Sequence, residues 1–232
     1  MIVHGVDGCP AGYAVVTLGD GSPRASVIPT IAPLFARGET VAIDIPIGLP
    51  ASITGPGRPP EQAIRPLLGP RRSSAFSIPC RDAVFAPTYA EACAAARAAS
   101  TPPKAISIQA FNIFPKIREV DAALTPATEA HVFEVHAELA FWRLNGECPM
   151  ADPKAARGVP ASQQLASRIA LLTAHGFPTA LFENRPAGLP LVDLVDAAAI
   201  ALVAQRCAAG TAVPFPDPPP RDARGLRMAI WA

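Results

Sequence analysis

This sequence predicts an α/β fold: a five-stranded mixed sheet flanked by helices, with a helical insertion. Three observations predict it. Short apolar runs bounded by turn residues recur through the first fifty positions, as strands do. Long Ala-rich or amphipathic stretches with helical spacing follow them. The chain has 232 residues, half of them hydrophobic and only 17% charged, so it can bury a sizeable core as one large domain.

Taken in order, residues 2–7 form the first expected strand. Gly8-Cys9-Pro10-Ala11-Gly12 is a tight turn, because Gly and Pro supply dihedrals that other residues resist. Residues 13–18 and 25–28 are the next strands, joined by Gly19-Asp20-Gly21, and residues 31–37 a short helix before a buried strand at 40–45. A three-stranded meander, a short helix and a buried strand open a ribonuclease H-like α/β fold. Residues 51–60 are a Pro- and Gly-dense loop, and residues 61–68 a helix stopped by Gly69-Pro70. Thr88 and Glu91 have capping-box spacing and open an Ala-rich helix to about residue 99. Residues 107–124 are helical in pattern, but Pro115 must kink or break them. A fifth strand is expected at 132–135. An amphipathic helix follows at 162–175, with Leu165, Ile169 and Leu172 on one face and Gly176 as its stop. The last strong helix is 191–208, ended by Gly210. The expected organisation is a single domain over 1–232, with 51–125 as its largely helical insertion.

The net charge of +1 gives no whole-protein field drawing the chain onto nucleic acid or anionic lipid, so a polyanion contact has to be a local patch. No basic region precedes the first apolar stretch, which Asp7 and Gly8 interrupt, so no signal peptide is expected. The longest apolar run, around 197–204, falls far short of the ~20 residues a membrane span requires. Five cysteines (Cys9, Cys80, Cys93, Cys148 and Cys207) are scattered without a C-x-x-C pair. That pattern suits reduced thiols in a cytoplasmic protein.

Four carboxylates carry the functional signal. Asp7 ends the first apolar run, and Asp44 lies within Ala42-Ile43-Asp44-Ile45, before Pro46 and Gly48. Asp193 and Asp196 stand three apart at the start of the last helix, on one face of it. A buried acid is costly to ionise without a cation or a proton to neutralise it. Two strand-end acids and a helical pair therefore point to Mg²⁺ or Mn²⁺, hard ions that take oxygen ligands and keep waters. Each acid also has a plain structural use: Asp7 in an Asx-turn, Asp44 on an outward strand face, Asp193 as a helix-start charge.

Glu134, His136 and Glu138 fall on one side if their strand continues. They are then further ligands, with His136 moving protons near neutral pH, or simply a polar face toward solvent. Zinc is discounted, since no Cys or His partner stands at zinc spacing. Arg65, Arg71, Arg72, Ser73, Ser74 and Arg81 form the one concentrated basic-polar segment. Arg forks and hydroxyls suit phosphate oxygens, which makes Arg71, Arg72 and Ser73 phosphate-binding candidates, a solvated loop being the alternative. Lys116, Arg118 and Lys154 are weaker candidates of that kind. Cys9 is set aside as a nucleophile because no base is paired with it.

Several segments look familiar together: Gly5-Val6-Asp7-Gly8-Cys9-Pro10-Ala11-Gly12, Asp44-Ile45-Pro46-Ile47-Gly48-Leu49-Pro50, Arg71-Arg72-Ser73-Ser74-Ala75-Phe76, Lys116-Ile117-Arg118-Glu119-Val120-Asp121, Glu134-Val135-His136-Ala137-Glu138 and Gly225-Leu226-Arg227-Met228. Nearly end to end, the chain resembles the domain of unknown function 429 family, described as predicted nucleases of the ribonuclease H fold. The resemblance implies that Asp7 is the family's first-strand acid and Asp44 the acid of its D-I-P-I-G motif. It matches Glu134, His136 and Glu138 to E-V-H-P-E, and Asp196 to the final acid of D-D-x-x-D-A. The layout is also similar to Holliday-junction resolvases, which pair a first-strand Asp, a fourth-strand acid and D-x-x-D on the last helix. Three positions depart from the family pattern: Val192 stands at the first Asp of the D-D pair, Ala137 at the usual Pro, and Glu61 where Asp is common.

The expected activity is divalent-metal-dependent hydrolysis of phosphodiester bonds. Asp7, Asp44, Glu134, His136 and Asp196 are its catalytic candidates, and Asp7, Asp44, Asp193 and Asp196 its ligands for Mg²⁺ or Mn²⁺. The rivals are a phosphotransferase or phosphatase acting on a nucleotide or small metabolite, and a non-catalytic binding module. A nucleic acid or nucleotide is the expected partner, a membrane is not, and a homodimer is left open.

Overall fold

The central sheet grows from five runs of β-branched and small apolar residues. In a computed structural model, which describes residues 1–154 and 160–232, β1 (Val3–Cys9), β2 (Gly12–Leu18) and β3 (Arg24–Ile28) form an antiparallel meander. Gly12, at φ +127°, closes the first hairpin, and a Cβ there would lie 2.2 Å from the Ile28 carbonyl oxygen. The chain passes through α1 (Ala32–Phe35) into β4 (Thr40–Ile43), which runs parallel to β1.

Between β4 and the last sheet strand come β5 (Ile53–Thr54), α2 (Pro59–Ile64), a 3₁₀ turn (Gly69–Ser74), α3 (Arg81–Phe85), α4 (Tyr89–Ala98), β6 (Ser100–Thr101), α5 (Ile108–Asn112) and α6 (Phe114–Ala123). Strands β5 and β6 pair with each other, apart from the main sheet. Thr88 and Glu91 form the expected capping box. Pro115 splits its stretch into α5 and α6, sitting in the first turn of α6 where no N–H is needed. The helix expected at 61–68 instead spans Pro59–Ile64, because proline suits a first turn.

Strand β7 (Val132–Glu134) pairs parallel to β4 and completes the order β3-β2-β1-β4-β7. Then follow α7 (Ala137–Leu144), α8 (Ala161–Gln164), α9 (Ala166–Ala174), α10 (Ala180–Glu183), α11 (Leu191–Ala208) and the paired β8 (Pro214–Phe215) and β9 (Ile230–Trp231). The amphipathic helix expected at 162–175 breaks at the fully buried Leu165, which joins α8 to α9. Among the described residues no helix is long and apolar enough to cross a membrane.

Side-chain alternation along the strands builds a core on each face of the sheet. Val6, Val41, Ile43 and Val132 pack with α3, α4 and α6 on one face. Val3, Cys9, Ala42 and Val135 pack with α7, α9 and α11 on the other. Helix α11 lies unusually close to β1. A Cβ on Gly5 would fall 2.1 Å from the Ala201 nitrogen and 2.2 Å from the Ala197 oxygen, so only glycine admits this approach.

Candidate active site

Alternation decides which acids meet. Asp7 lies two residues beyond Gly5, on the face that α11 covers, and Asp44 lies two beyond Ala42, on the same face. Asp196 precedes Ala197, the helix residue against Gly5, so the close contact brings the first turns of α11 over the two strand ends. The three acids come from β1, the end of β4 and α11. Each is partly tied: Asp7 Oδ1 accepts from the Gly8 N–H at 2.8 Å, and Asp44 Oδ2 from the Ala137 N–H at 3.0 Å, at the start of α7.

The charges here are poorly neutralised. Burial, then repulsion from Asp196 and Asp44, holds the Asp7 carboxyl well above the usual range. Burial also raises Asp196, against the pull of Lys154. Asp193, one turn earlier on α11, is pushed up to about 6 by burial and by Asp196. The Lys154 ammonium lies 2.7 Å from Asp196 Oδ2 and 3.4 Å from Glu138 Oε1. Burial works against its charge, but Asp196 and Glu138 outweigh it and hold the ammonium above the lysine range. Glu138 is otherwise held by the fully buried Arg168, at 2.9 and 3.2 Å. Asp196 Oδ1 is buried and has no hydrogen-bond partner among the described residues.

Glu134 belongs elsewhere. It pairs in register with Ile43 and shares the opposite face of the sheet, away from Asp7 and Asp44. There the fully buried Arg58 donates to Glu134 Oε1 at 2.5 Å and to Glu61 Oε1 at 2.6 and 2.8 Å. Arg58 also donates to the carbonyls of Ile47 and Gly48, and Glu134 Oε2 accepts from the Ile47 N–H at 2.7 Å. Burial still lifts Glu134 to about 7, against Arg58. The strand does not run on through His136, as the alternation of Glu134, His136 and Glu138 requires. His136 instead stands just before α7, without a side-chain cap bond, and Glu138 lies inside the helix, so the three do not follow one strand face. His136 Nδ1 is buried without a partner among the described residues.

A cleft of about 350 Å³ opens on this region, lined by Asp7, Asp44, Glu134, His136, Glu138 and Lys154 among others. Its wall is apolar, from Ile45, Ile78, Ile113 and a Phe76 that is 40% exposed. Lys116 enters from α6, its ammonium 2.6 Å from the Gly12 carbonyl and over the Tyr13 ring. Of the basic-polar segment, the 3₁₀ turn brings Ser74 to the lining. Arg71, Arg72 and Ser73 stay outside it, and Arg71 bonds the Ala151 carbonyl instead.

Lys154 and the Glu138–Arg168 pair are the features of the cleft that sequence patterns missed as central. For Lys154 one signal was available, since the chain has only three lysines against seventeen arginines; two of the three, Lys116 and Lys154, line the cleft.

The donor set fits a hard divalent ion. All of it is oxygen, one buried oxygen is unbonded, and among the described residues Lys154, Arg168 and Lys116 oppose five carboxylates: Asp7, Asp44, Asp193, Asp196 and Glu138. Among those residues, though, no three His, Cys, Asp or Glu side chains are gathered as they stand into a group that could hold a metal. Lys154 lies among the acids instead. No curated protein and no solved structure matches the chain. A family model described as a protein of unknown function, DUF429, matches residues 5–221, so the chain belongs to the domain of unknown function 429 family.

Proposed function

We propose that the chain is a divalent-metal-dependent phosphodiesterase of ribonuclease H-like architecture, with Asp7, Asp44 and Asp196 as ligands. One observation carries the reading: Asp7 and Asp44 line one cleft from separate strands, Asp196 lies close enough behind them to repel both, and among the described residues one buried Asp196 oxygen has no hydrogen-bond partner. The sheet order, with an antiparallel meander followed by two parallel strands, supports the architecture. A bound Mg²⁺ or Mn²⁺ would supply charge stabilisation and an activated water.

The chain's own residues have distinct tasks. Backbone N–H groups of Gly8 and Ala137 orient Asp7 and Asp44, leaving each one oxygen free of them. His136, with its unpartnered Nδ1 at the cleft, is placed to take or give a proton. Lys116 supplies positive charge for a phosphate oxygen. Glu134 acts through Arg58, which fixes the carbonyls of Ile47 and Gly48 after Asp44, and is a positioning residue.

The cleft's volume and apolar wall favour a nucleotide-sized substrate over a long duplex, which also suits a phosphatase or phosphotransferase on the same core. Hydrolysis of a generic phosphodiester with Mn²⁺, compared between wild type and the folded Asp7→Asn, Asp44→Asn and Asp196→Asn variants, tests the reading. Retained cleavage in all three would sink it. Stabilisation by a nucleotide but not by oligonucleotides in thermal melts would select the small substrate.

A further inference from the structure

Lys154 lies where a divalent ion would be needed. Its ammonium is 2.7 Å from Asp196 Oδ2 and 3.4 Å from Glu138 Oε1, and it also weighs on Asp7. Glu138 does not require it, since Arg168 already holds both Glu138 oxygens. The acids that do require a cation are those without an arginine, Asp196 above all.

The residue type matters. In a chain with seventeen arginines and three lysines, the acid cluster is met by a lysine. Arginine can lock a carboxylate with a planar fork, as Arg58 does to Glu134 here, and such a fork is hard to displace. Lysine is a point charge on a flexible four-carbon stem that rehydrates readily. Lys154 itself lies in no helix or strand, so withdrawal of its side chain breaks no helix.

We propose that Lys154 is a tethered counter-ion that holds Asp196 and its neighbours together in the metal-free protein and yields that place to the divalent ion. The proposal rests on the metal reading above. It explains why no metal-ready group stands assembled among the described residues while the donor chemistry suits one. Metal affinity is then set against the lysine, and removing the lysine strengthens metal binding even though it weakens the metal-free fold.

Calorimetric titration of the full chain with Mn²⁺ tests this, using wild type, Lys154→Met and Lys154→Arg, with Asp7→Asn as the control. Lys154→Met is expected to bind Mn²⁺ about tenfold more tightly than wild type. It should melt below wild type without metal and gain more from saturating Mn²⁺. Lys154→Arg, which puts a fork in its place, should bind no more tightly than wild type. In wild type, Mn²⁺ should raise the rate at which an amine-directed reagent labels Lys154 relative to the exposed Lys104, read by mass spectrometry; this arm needs no variant to fold. Suppose wild type binds Mn²⁺ and Asp7→Asn does not, but Lys154→Met binds no better or Lys154 labelling is unchanged. The metal site then stands and the counter-ion role is overturned. An absence of Mn²⁺ binding in both wild type and Lys154→Met overturns the metal reading and this proposal together.

Discussion

Two groups of carboxylates sit on opposite faces of the same sheet, each sending acids to one cleft, and they handle charge in opposite ways. Glu61 and Glu134 close on a single buried guanidinium, and the oxygens that bind it are aimed at donors. Asp7, Asp44 and Asp196 have a mobile type of cation nearby, two backbone N–H groups and a buried oxygen with no partner. Glu61, Glu134 and Asp196 are buried while Asp7 and Asp44 are half-buried at the cleft, so Asp196 shows that burial alone does not make an acid a strut. Satisfaction of hydrogen bonds does. The first group holds the loop after β4, and the second holds negative charge in reserve.

Substitutions sharpen this contrast, because the two groups should respond with opposite sign. Arg58→Met has the largest expected effect: it strands two buried carboxylates and should destabilise the fold by about 3–5 kcal/mol, seen in chemical denaturation. An unchanged midpoint would show that the strut is not structural. Gly5→Ala drives a methyl group into the α11 backbone and should cost about 1–3 kcal/mol or more, measured the same way, with Mn²⁺ affinity lost alongside.

Next comes pH. The Glu134 carboxyl is raised in the fold, from 4.5 to about 7, so the folded state holds its proton more tightly than the unfolded chain. Its contribution to stability is therefore greatest below pH 4.5 and is lost as pH rises towards 7, with a slope of at most about 1.4 kcal/mol per pH unit. Thermal melts across this window should slope less in Glu134→Gln than in wild type, and parallel curves would remove Glu134 from the account. Asp7→Asn should behave the other way from Arg58→Met, stabilising the metal-free protein by about 1 kcal/mol while abolishing Mn²⁺-dependent cleavage. A destabilised Asp7→Asn would make Asp7 another strut. The smallest stability change, within about 0.5 kcal/mol, is expected for Phe76→Ala, whose ring is exposed. There the readout is a raised KM for a nucleotide substrate with kcat kept.

Much of this was legible in the sequence. Helix α11 runs from Leu191 to Ala208 as its pattern predicts, since a long Ala-rich stretch has one period to follow. The meander and β4 were equally plain, and with them the positions of Asp7 and Asp44. What failed was a change of period. Glu134, His136 and Glu138 alternate only if β7 continues, but it stops at Glu134 and a helix takes over, so the three reach the cleft from different elements and with different partners. The partners that decide the electrostatics were out of reach for another reason. Arg58 meets Glu134 across 76 positions, and Lys154 meets Asp196 across 42, with no periodic signal in the irregular chain that carries Arg58 and Lys154. Local pattern also placed Arg71 and Arg72 at a phosphate, whereas the 3₁₀ turn offers Ser74 and the residues after it to the cleft.

The contact at Gly5 bears on the cleft in a way beyond stability. Two backbones touching through glycine and alanine make a stiffer spacer than interleaved side chains, because no rotamer can give way. The gap between the end of β1 and the opening turns of α11 is then a property of the chain's register, and not of its ligand. On the proposed reading, an ion between Asp7 and Asp196 would meet a jaw of fixed width, which would select by size and leave the side chains to select by charge.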